Sequence, residues 1–253
     1  MNDAWKTPEA RTVVPAVPAA TVLLLRERDG AMEVMMVKRG AGAFFGSALV
    51  FPGGKVDEGD AHPGWDNFVE GAEGLDRDQI ALRIAGWREV HEETGALPAA
   101  CATTSDLAED DIPFIERIRL SGGRLPLGEM IPFARWITPK VSPKRFDTWF
   151  FLCALDSDEP LVCDGWETVS AEWLTPARAL ELGAKGERNV IFPTRCQLER
   201  LGQSATIAEA VEAARQQPII TIEPKRVERD GAYFVTIPQG AGYPVTETSA
   251  DRA

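Results

Sequence analysis

Hydrophobic positions along the chain change period in a way that marks strands first, then one strong helix, then a mixed C-terminal third. Residues 20–27 (ATVLLLRE) and 32–39 (MEVMMVKR) are two apolar runs joined through Asp29-Gly30, a dipeptide suited to a tight turn, so they predict a β-hairpin. Residues 48–51 (ALVF) predict another short strand, running straight into PGGKVDEGD. From Asp76 to Glu93 the period lengthens: Ile80, Ile84, Trp87 and Val90 fall at helical spacing, a single stripe for a core. Asp76 with Gln79 three residues on reads as a capping box, and Gly95 as the stop. Residues 98–128 read as a turn-rich, acidic stretch, followed by strands over 131–138, 146–155 and 169–174. Thr175-Pro176 supplies a cap and a first-turn proline for a helix through Leu182, and further helices are expected over 194–201 and 207–215. After Pro218 the pattern returns to strands, IITIE and then AYFVTIP beyond Asp230-Gly231. Residues 1–17 are too interrupted by proline to hold a period and are expected to form an arm. The order of elements predicts a mixed sheet with helices packed against it, the C-terminal part sharing the same core.

Composition narrows the class of molecule. A chain of 253 residues with 44% hydrophobic and 26% charged side chains suits one large domain with additions. Its 39 acidic against 27 basic side chains leave a net charge of −12, which argues against a broad basic face for nucleic acid. The longest apolar run, Trp149 to Leu155, is far shorter than the roughly 20 residues a membrane span requires. Cys101, Cys153, Cys163 and Cys196 show neither a CxxC pair nor zinc-ligand spacing, so the expectation is a reduced, cytoplasmic chain. His62 and His91 are its two histidines, which restricts imidazole chemistry.

The residues that change the picture most are Glu89, Glu92 and Glu93, in REVHEETG from Arg88 to Gly95. At i, i+3 and i+4 their carboxylates share one helix face, near the C-terminal end where the macrodipole favours cations. Such a cluster is stable beside a hard divalent cation, and Mg²⁺ or Mn²⁺ prefers carboxylate oxygen. A glycine turn, Phe51-Pro52-Gly53-Gly54, precedes the helix and lets backbone approach a metal or phosphate without a side chain in the way.

Together these strings resemble the Nudix box, GX5EX7REUXEEXGU, in which U is a bulky aliphatic residue. Gly54 and Asp60 match its first part, with Asp in place of Glu; Arg88, Glu89, Val90, Glu92, Glu93 and Gly95 match its second, with Ala96 at the last aliphatic position. Between Asp60 and Arg88 lie 27 residues instead of seven, so the box is split by an insertion of 20. Split boxes occur in a Nudix subgroup that includes the peroxisomal coenzyme A diphosphatases, and this chain is similar to it. RFDTWFF from Arg145, WETVSAEWLTPARAL from Trp166 and FPTRCQLERL from Phe192 extend the resemblance over most of residues 18–240. Phe44 stands where compact bacterial coenzyme A pyrophosphatases carry a second arginine upstream of the box.

The resemblance implies an α/β fold, an α/β/α sandwich with a mixed β-sheet, an insertion within the box and a C-terminal helical and strand extension. The implied organisation is an arm over 1–17, a single hydrolase domain over 18–240 with the insertion at about 61–80 and a helical extension at about 175–216, and a tail over 241–253. It implies Mg²⁺- or Mn²⁺-dependent hydrolysis of a phosphoanhydride in a nucleoside-diphosphate-linked substrate. Coenzyme A or acyl-coenzyme A is one candidate; NADH, ADP-ribose, dinucleoside polyphosphates and nucleoside triphosphates are the others, and a non-catalytic nucleotide-binding regulator is the reading from another class. Catalytic roles fall on Glu89, Glu92, Glu93 and Arg88, with Arg88 holding a box carboxylate. Metal ligation falls on Gly53 through its carbonyl and on Glu89, Glu92 and Glu93. Asp60 is either structural or a metal contact, and His91 is packed or solvent-facing rather than a base. Arg39, Arg145, Glu167 and Arg195, with Lys38 and Lys144, are candidate substrate contacts, Glu167 also as a general base. Family members are often homodimers, and no membrane or nucleic-acid partner is implied. The insertion, with Trp65 and Phe68, is expected either as a wall beside the metal site or as a surface addition.

Overall fold

The computed structural model describes residues 13–40, 47–101, 112–155, 161–163 and 168–250. In chain order its strands and helices are β1 (Val17–Arg28), β2 (Ala31–Arg39), β3 (Leu49–Val50), β4 (Gly53–Lys55), β5 (Val69–Glu70), α1 (Arg77–Thr94), α2 (Phe114–Ser121), β6 (Leu125–Pro126), β7 (Ile131–Ile137), β8 (Phe146–Ala154), β9 (Thr168–Leu174), α3 (Pro176–Ala184), α4 (Phe192–Leu201), α5 (Ile207–Gln216), β10 (Thr221–Ile222), β11 (Lys225–Arg229), β12 (Ala232–Thr236) and β13 (Glu247–Ser249). An eight-stranded mixed sheet runs β10-β7-β8-β1-β2-β3, with β4 paired to β1 and β9 to β2. β1 lies parallel to β8 over nine residue pairs and turns back antiparallel into β2. The turn is the expected one: Asp29 and Gly30 both take positive φ, 51° and 76°, which matches the twist of the hairpin strands. Asp230 and Gly231 repeat the device between β11 and β12, at 52° and 76°.

β1 is the centre of the molecule, and Val22 to Leu25 are all fully buried because both faces of the sheet are covered. Val22 and Leu24 face the layer built on α1, with Ile84, Trp87 and Val90; Leu23 and Leu25 face a second layer with Phe192, Leu198 and Ala210 of α4 and α5. The result is the anticipated α/β/α sandwich. Val235, Ile237 and Tyr243 from the C-terminal strands and their connection join the second layer, so the small sheet β11-β12-β13 is attached to the main core.

Three local expectations are refined. Asp76 caps α1 by accepting from the Gln79 amide, but the Gln79 side-chain oxygen accepts from Arg83 instead of closing a capping box. Residues 98–128 contain a helix, α2, that opens after Pro113 and ends at Gly122 in the left-handed region; Phe114, Ile115 and Ile118 form a face too short to stand out in an acidic, proline-punctuated stretch. α4 begins at Phe192 rather than Thr194, with Pro193 in its first turn.

The residues inserted in the box form a short outer layer. Trp65, 1% exposed, packs on Phe114 of α2 with ring centroids 5.7 Å apart and donates through Nε1 to the Gly59 carbonyl. β5 pairs in parallel with β6, fixing the insertion to the far end of the α2 connection.

Candidate active site

Two neighbouring backbone segments set the site. β4 lies against β1, with Thr21 opposite Gly53 and Ala20 opposite Gly54, and the last turns of α1 pack over β4. The fit at Gly53 is close enough to require glycine. A Cβ on Gly53 would stand 2.4 Å from the Ala20 carbonyl oxygen, and one on Gly54 would overlap the Glu89 carboxylate at 2.3–2.4 Å. The bare turn is therefore the space in which Glu89 sits.

Arg88 is the hub, 9% exposed. Its Nε and Nη2 donate to the two oxygens of Asp60 at 2.9 and 3.0 Å, and Asp60 is 2% exposed. Nη1 donates to Glu89 and Glu92, both at 2.9 Å, and Nη2 also reaches the Lys55 carbonyl at 2.8 Å. Burial acts to lower the Arg88 pKa, but the hydrogen bonds and charge of Asp60, with Glu89 and Glu92, outweigh it and push it upward, so the guanidinium is permanently charged. Desolvation raises the Glu92 carboxyl above its ordinary value although about half the side chain is open to solvent; Arg88 pulls it down, while Asp60 and Asp57 add to the rise. One guanidinium is thus shared among three carboxylates, with Asp57 a further 3.8 Å contact.

Glu93 is turned differently. Only 5% exposed, it accepts from the Gly53 amide at 3.1 Å and lies 3.9 Å from the Arg39 guanidinium. The four expected ligands Gly53, Glu89, Glu92 and Glu93 are accordingly neighbours, yet among the described residues no three acidic, His or Cys side chains stand as a ready metal cage. The reason is electrostatic: each carboxylate is drawn to a cation or an N–H donor, and Gly53 contributes its amide to Glu93. The chemistry of the set still suits a hard cation, since all three side chains end in oxygen and Gly54 leaves the Glu89 carboxylate an unobstructed cradle.

Glu89, Glu92, Arg88, Gly53 and Gly54 line one side of a cavity of about 680 Å³. Across β1 its opposite side is built from β7, β8, the connection between them and the start of α4, and it is mainly apolar: Ile137, Val141, Phe146, Phe150, Ile191 and Phe192. Trp136, 5% exposed, also reaches the wall and donates through Nε1 to the Tyr243 hydroxyl at 2.8 Å.

The remaining candidate contacts divide sharply. Arg39 and Lys144 line the cavity. Arg145 does not: it is 8% exposed and spends its donors on the Thr138 and Val14 carbonyls, at 2.9 and 3.0 Å, and on Glu223 at 3.5 Å, so it pins the β7–β8 connection instead of meeting substrate. Arg195 is also outside the cavity lining and pairs with Glu199 one turn along α4. Glu167 lies outside the described residues. His91 stacks on Phe114 at 5.9 Å, and burial together with Arg117 lowers its pKa, which makes it a packed side chain of α1. The insertion lies on the outer side of α1, and neither Trp65 nor Phe68 reaches the cavity wall.

Comparison with known proteins agrees with this geometry. No family model matches the chain. Over 243 residues it is 29% identical to a protein of Caenorhabditis elegans named putative nudix hydrolase 7, covering 87% of this chain and 75% of that one. It is 25% identical to the acyl-coenzyme A diphosphatase NUDT19 of Xenopus laevis over 70% of this chain and 61% of the relative, so it spans less than two thirds of that protein. Among solved structures, a NUDIX hydrolase from Alicyclobacillus acidocaldarius superposes with a TM-score of 0.62 at 27% identity, over 79% of this chain and 97% of that one. No helix among the described residues is long and apolar enough to cross a membrane. With both parts of a split box present and folded around a buried arginine, the chain is similar to Nudix hydrolases in sequence and in fold.

Proposed function

We propose that the protein hydrolyses a phosphoanhydride bond in a nucleoside-diphosphate-linked substrate, with coenzyme A or an acyl-coenzyme A as the preferred class and Mg²⁺ or Mn²⁺ as the required ion. The observation that carries this reading is the two-sided cavity: carboxylates and a glycine turn on one side of β1, an apolar wall on the other. A diphosphate belongs on the first side, and the arms of the substrate, at least one of them largely apolar, along the second. The relatives named acyl-coenzyme A diphosphatases support the same choice.

Glu89, Glu92 and Glu93 would hold the ion, which when bound supplies charge neutralisation for the diphosphate and acidifies a water. The residues of the chain do the rest. Asp60 fixes Arg88, Arg88 sets the side-chain directions of Glu89 and Glu92, and the Gly53 amide holds Glu93 against the turn. Carboxylates held this way are placed before substrate arrives, which limits reorganisation during the reaction.

The test is product analysis after incubation with Mg²⁺ and coenzyme A, an acyl-coenzyme A, NADH, ADP-ribose, a diadenosine polyphosphate and nucleoside triphosphates. Release of adenosine 3′,5′-bisphosphate from the coenzyme A compounds, well ahead of turnover of the others, is expected. Faster turnover of another compound would replace the substrate, and binding without turnover of any would leave a nucleotide-binding regulator.

A further inference from the structure

Four cationic side chains line the cavity, Arg39, Lys55, Arg88 and Lys144, and three of them face carboxylates. Arg88 is shared by Asp60, Glu89 and Glu92; Arg39 faces Glu93 at 3.9 Å; Lys55 lies 3.9 Å from Asp57. Lys144 is the fourth, and it has no ion-pair partner among the described residues. It is exposed and stands on the connection between β7 and β8, on the opposite side of β1 from the glutamates.

That connection is held firmly. The Thr138 hydroxyl accepts from the Phe146 amide at 3.0 Å, the Ser142 amide donates to the Pro139 carbonyl at 3.0 Å, and Arg145 ties the segment to Val14 and Glu223. A lysine carried on such a segment is presented at a defined place on the rim. Strand register locates that place: Phe146 pairs with Val17, and Gly54 pairs with Ala20 on the other edge of β1. Three residues along β1 and two strand spacings across it put the two backbones about 14 Å apart. Lys144 stands two residues before Phe146, and the cavity of about 680 Å³ that it lines together with the glycine turn has room for a nucleoside.

We propose that Lys144 is the specificity residue for a second anionic group of the substrate, a phosphomonoester carried on the nucleoside and separate from the diphosphate that is cleaved. The inference rests on the proposed function and sharpens it, because coenzyme A carries a ribose phosphate that NADH and ADP-ribose lack. Lys144 binds rather than reacts, so its contribution appears in KM.

The experiment compares coenzyme A with its 3′-dephospho form in wild type, Lys144→Met and Lys144→Arg, with Mg²⁺ present. Wild type is expected to prefer coenzyme A, and Lys144→Met to reduce the ratio of the two kcat/KM values about tenfold, through KM, as loss of one charge-assisted hydrogen bond would. Lys144→Arg restores most of the ratio. An unchanged ratio in Lys144→Met overturns the proposal. A matched pair of acyl-coenzyme A compounds, one ending in methyl and one in carboxylate, tests the other anionic source; discrimination between those two that depends on Lys144, with none against the dephospho form, also overturns it. If wild type cleaves none of these compounds, the proposed function fails and binding decides the inference. Thermal stabilisation by adenosine 3′,5′-bisphosphate beyond that by adenosine 5′-monophosphate, lost in Lys144→Met, would then uphold it, and equal stabilisation would sink it.

Discussion

Arg88 and Arg200 are equally buried, each 9% exposed, and do opposite work. Arg88 is surrounded by carboxylates, three of them within 2.9–3.0 Å. Arg200, on α4, pairs with no acid among the described residues: it donates to the Phe133 carbonyl at 2.7 Å and to the Gln217 side-chain oxygen at 3.1 Å, and its guanidinium lies over the rings of Phe133 and Tyr243 at 4.2 and 5.5 Å. Neutral acceptors and ring faces satisfy one positive charge and leave nothing over, which ties the C-terminal segment to the core. Three carboxylates around one positive charge leave a surplus of negative charge beside a cavity, a surplus that suits a cation. Burial alone says little about role; the count of charges around the buried group says more.

The largest expected effect comes from reducing the surplus. Glu92→Gln should lower kcat by about 10²–10³-fold while the metal-free protein keeps its melting temperature or gains slightly, because repulsion among the carboxylates is relieved. Mg²⁺ should also raise the melting temperature of wild type more than that of the variant, by mass action. Equal Mg²⁺ shifts, or a variant that fails to fold, would place Glu92 with the structural groups and erase the contrast.

Arg200→Met tests the other member. The Phe133 carbonyl and Gln217 lose a charged donor in a buried place, which costs about 3 kcal/mol. That corresponds to a fall in melting temperature of roughly 6–12 °C for a chain of this size, with kcat at low temperature little altered. A selective loss of kcat without loss of stability would show that Arg200 communicates with the cavity.

How far this contrast could be read from sequence depends on distance along the chain. Helix α1 with its Asp76 cap, Gly95 stop and three glutamates was legible because the signal lies within twenty residues, as were the Asp-Gly hairpins and the glycine turn. The partners that separate Arg145 and Arg200 from substrate contacts were not legible, since Arg145 reaches Val14 across 131 residues and Arg200 reaches Phe133 across 67. An arginine on a strand or helix has the same local pattern whether it meets phosphate, a carbonyl or solvent. α2 was missed because eight residues give little more than two turns of periodicity, and the inward packing of the insertion depends on Trp65 finding α2, 49 residues away. Asp60 was legible by its place in the box, but its role became definite only with both oxygens on Arg88.

Asp60→Asn should have a smaller effect than either variant above. It keeps the shape of the side chain but removes one charge from Arg88 and leaves an amide N–H beside the guanidinium, at a cost of about 1–2 kcal/mol. Melting temperature and kcat should fall together, since Asp60 acts on the glutamates through Arg88. A fall in kcat with unchanged stability would instead point to Asp60 touching the ion directly.

The smallest effect sets the lower limit of the comparison. Glu181, on α3, has the reverse charge count, one carboxylate between Lys185 and Arg178, but the group is open to water. Hydrogen bonds from Lys185 and then Arg178 lower its pKa from 4.5 to about 2. A depressed carboxylate contributes stability above its unfolded value and loses that contribution as pH falls from about 4.5 towards 2. Glu181→Gln should therefore leave the melting temperature unchanged within error at neutral pH in moderate salt, and should flatten only the acid limb of the stability profile at low salt, because exposed pairs are screened. A large neutral-pH loss would mean that charge count decides the outcome even in water; the expected null effect confines that rule to groups the fold has buried.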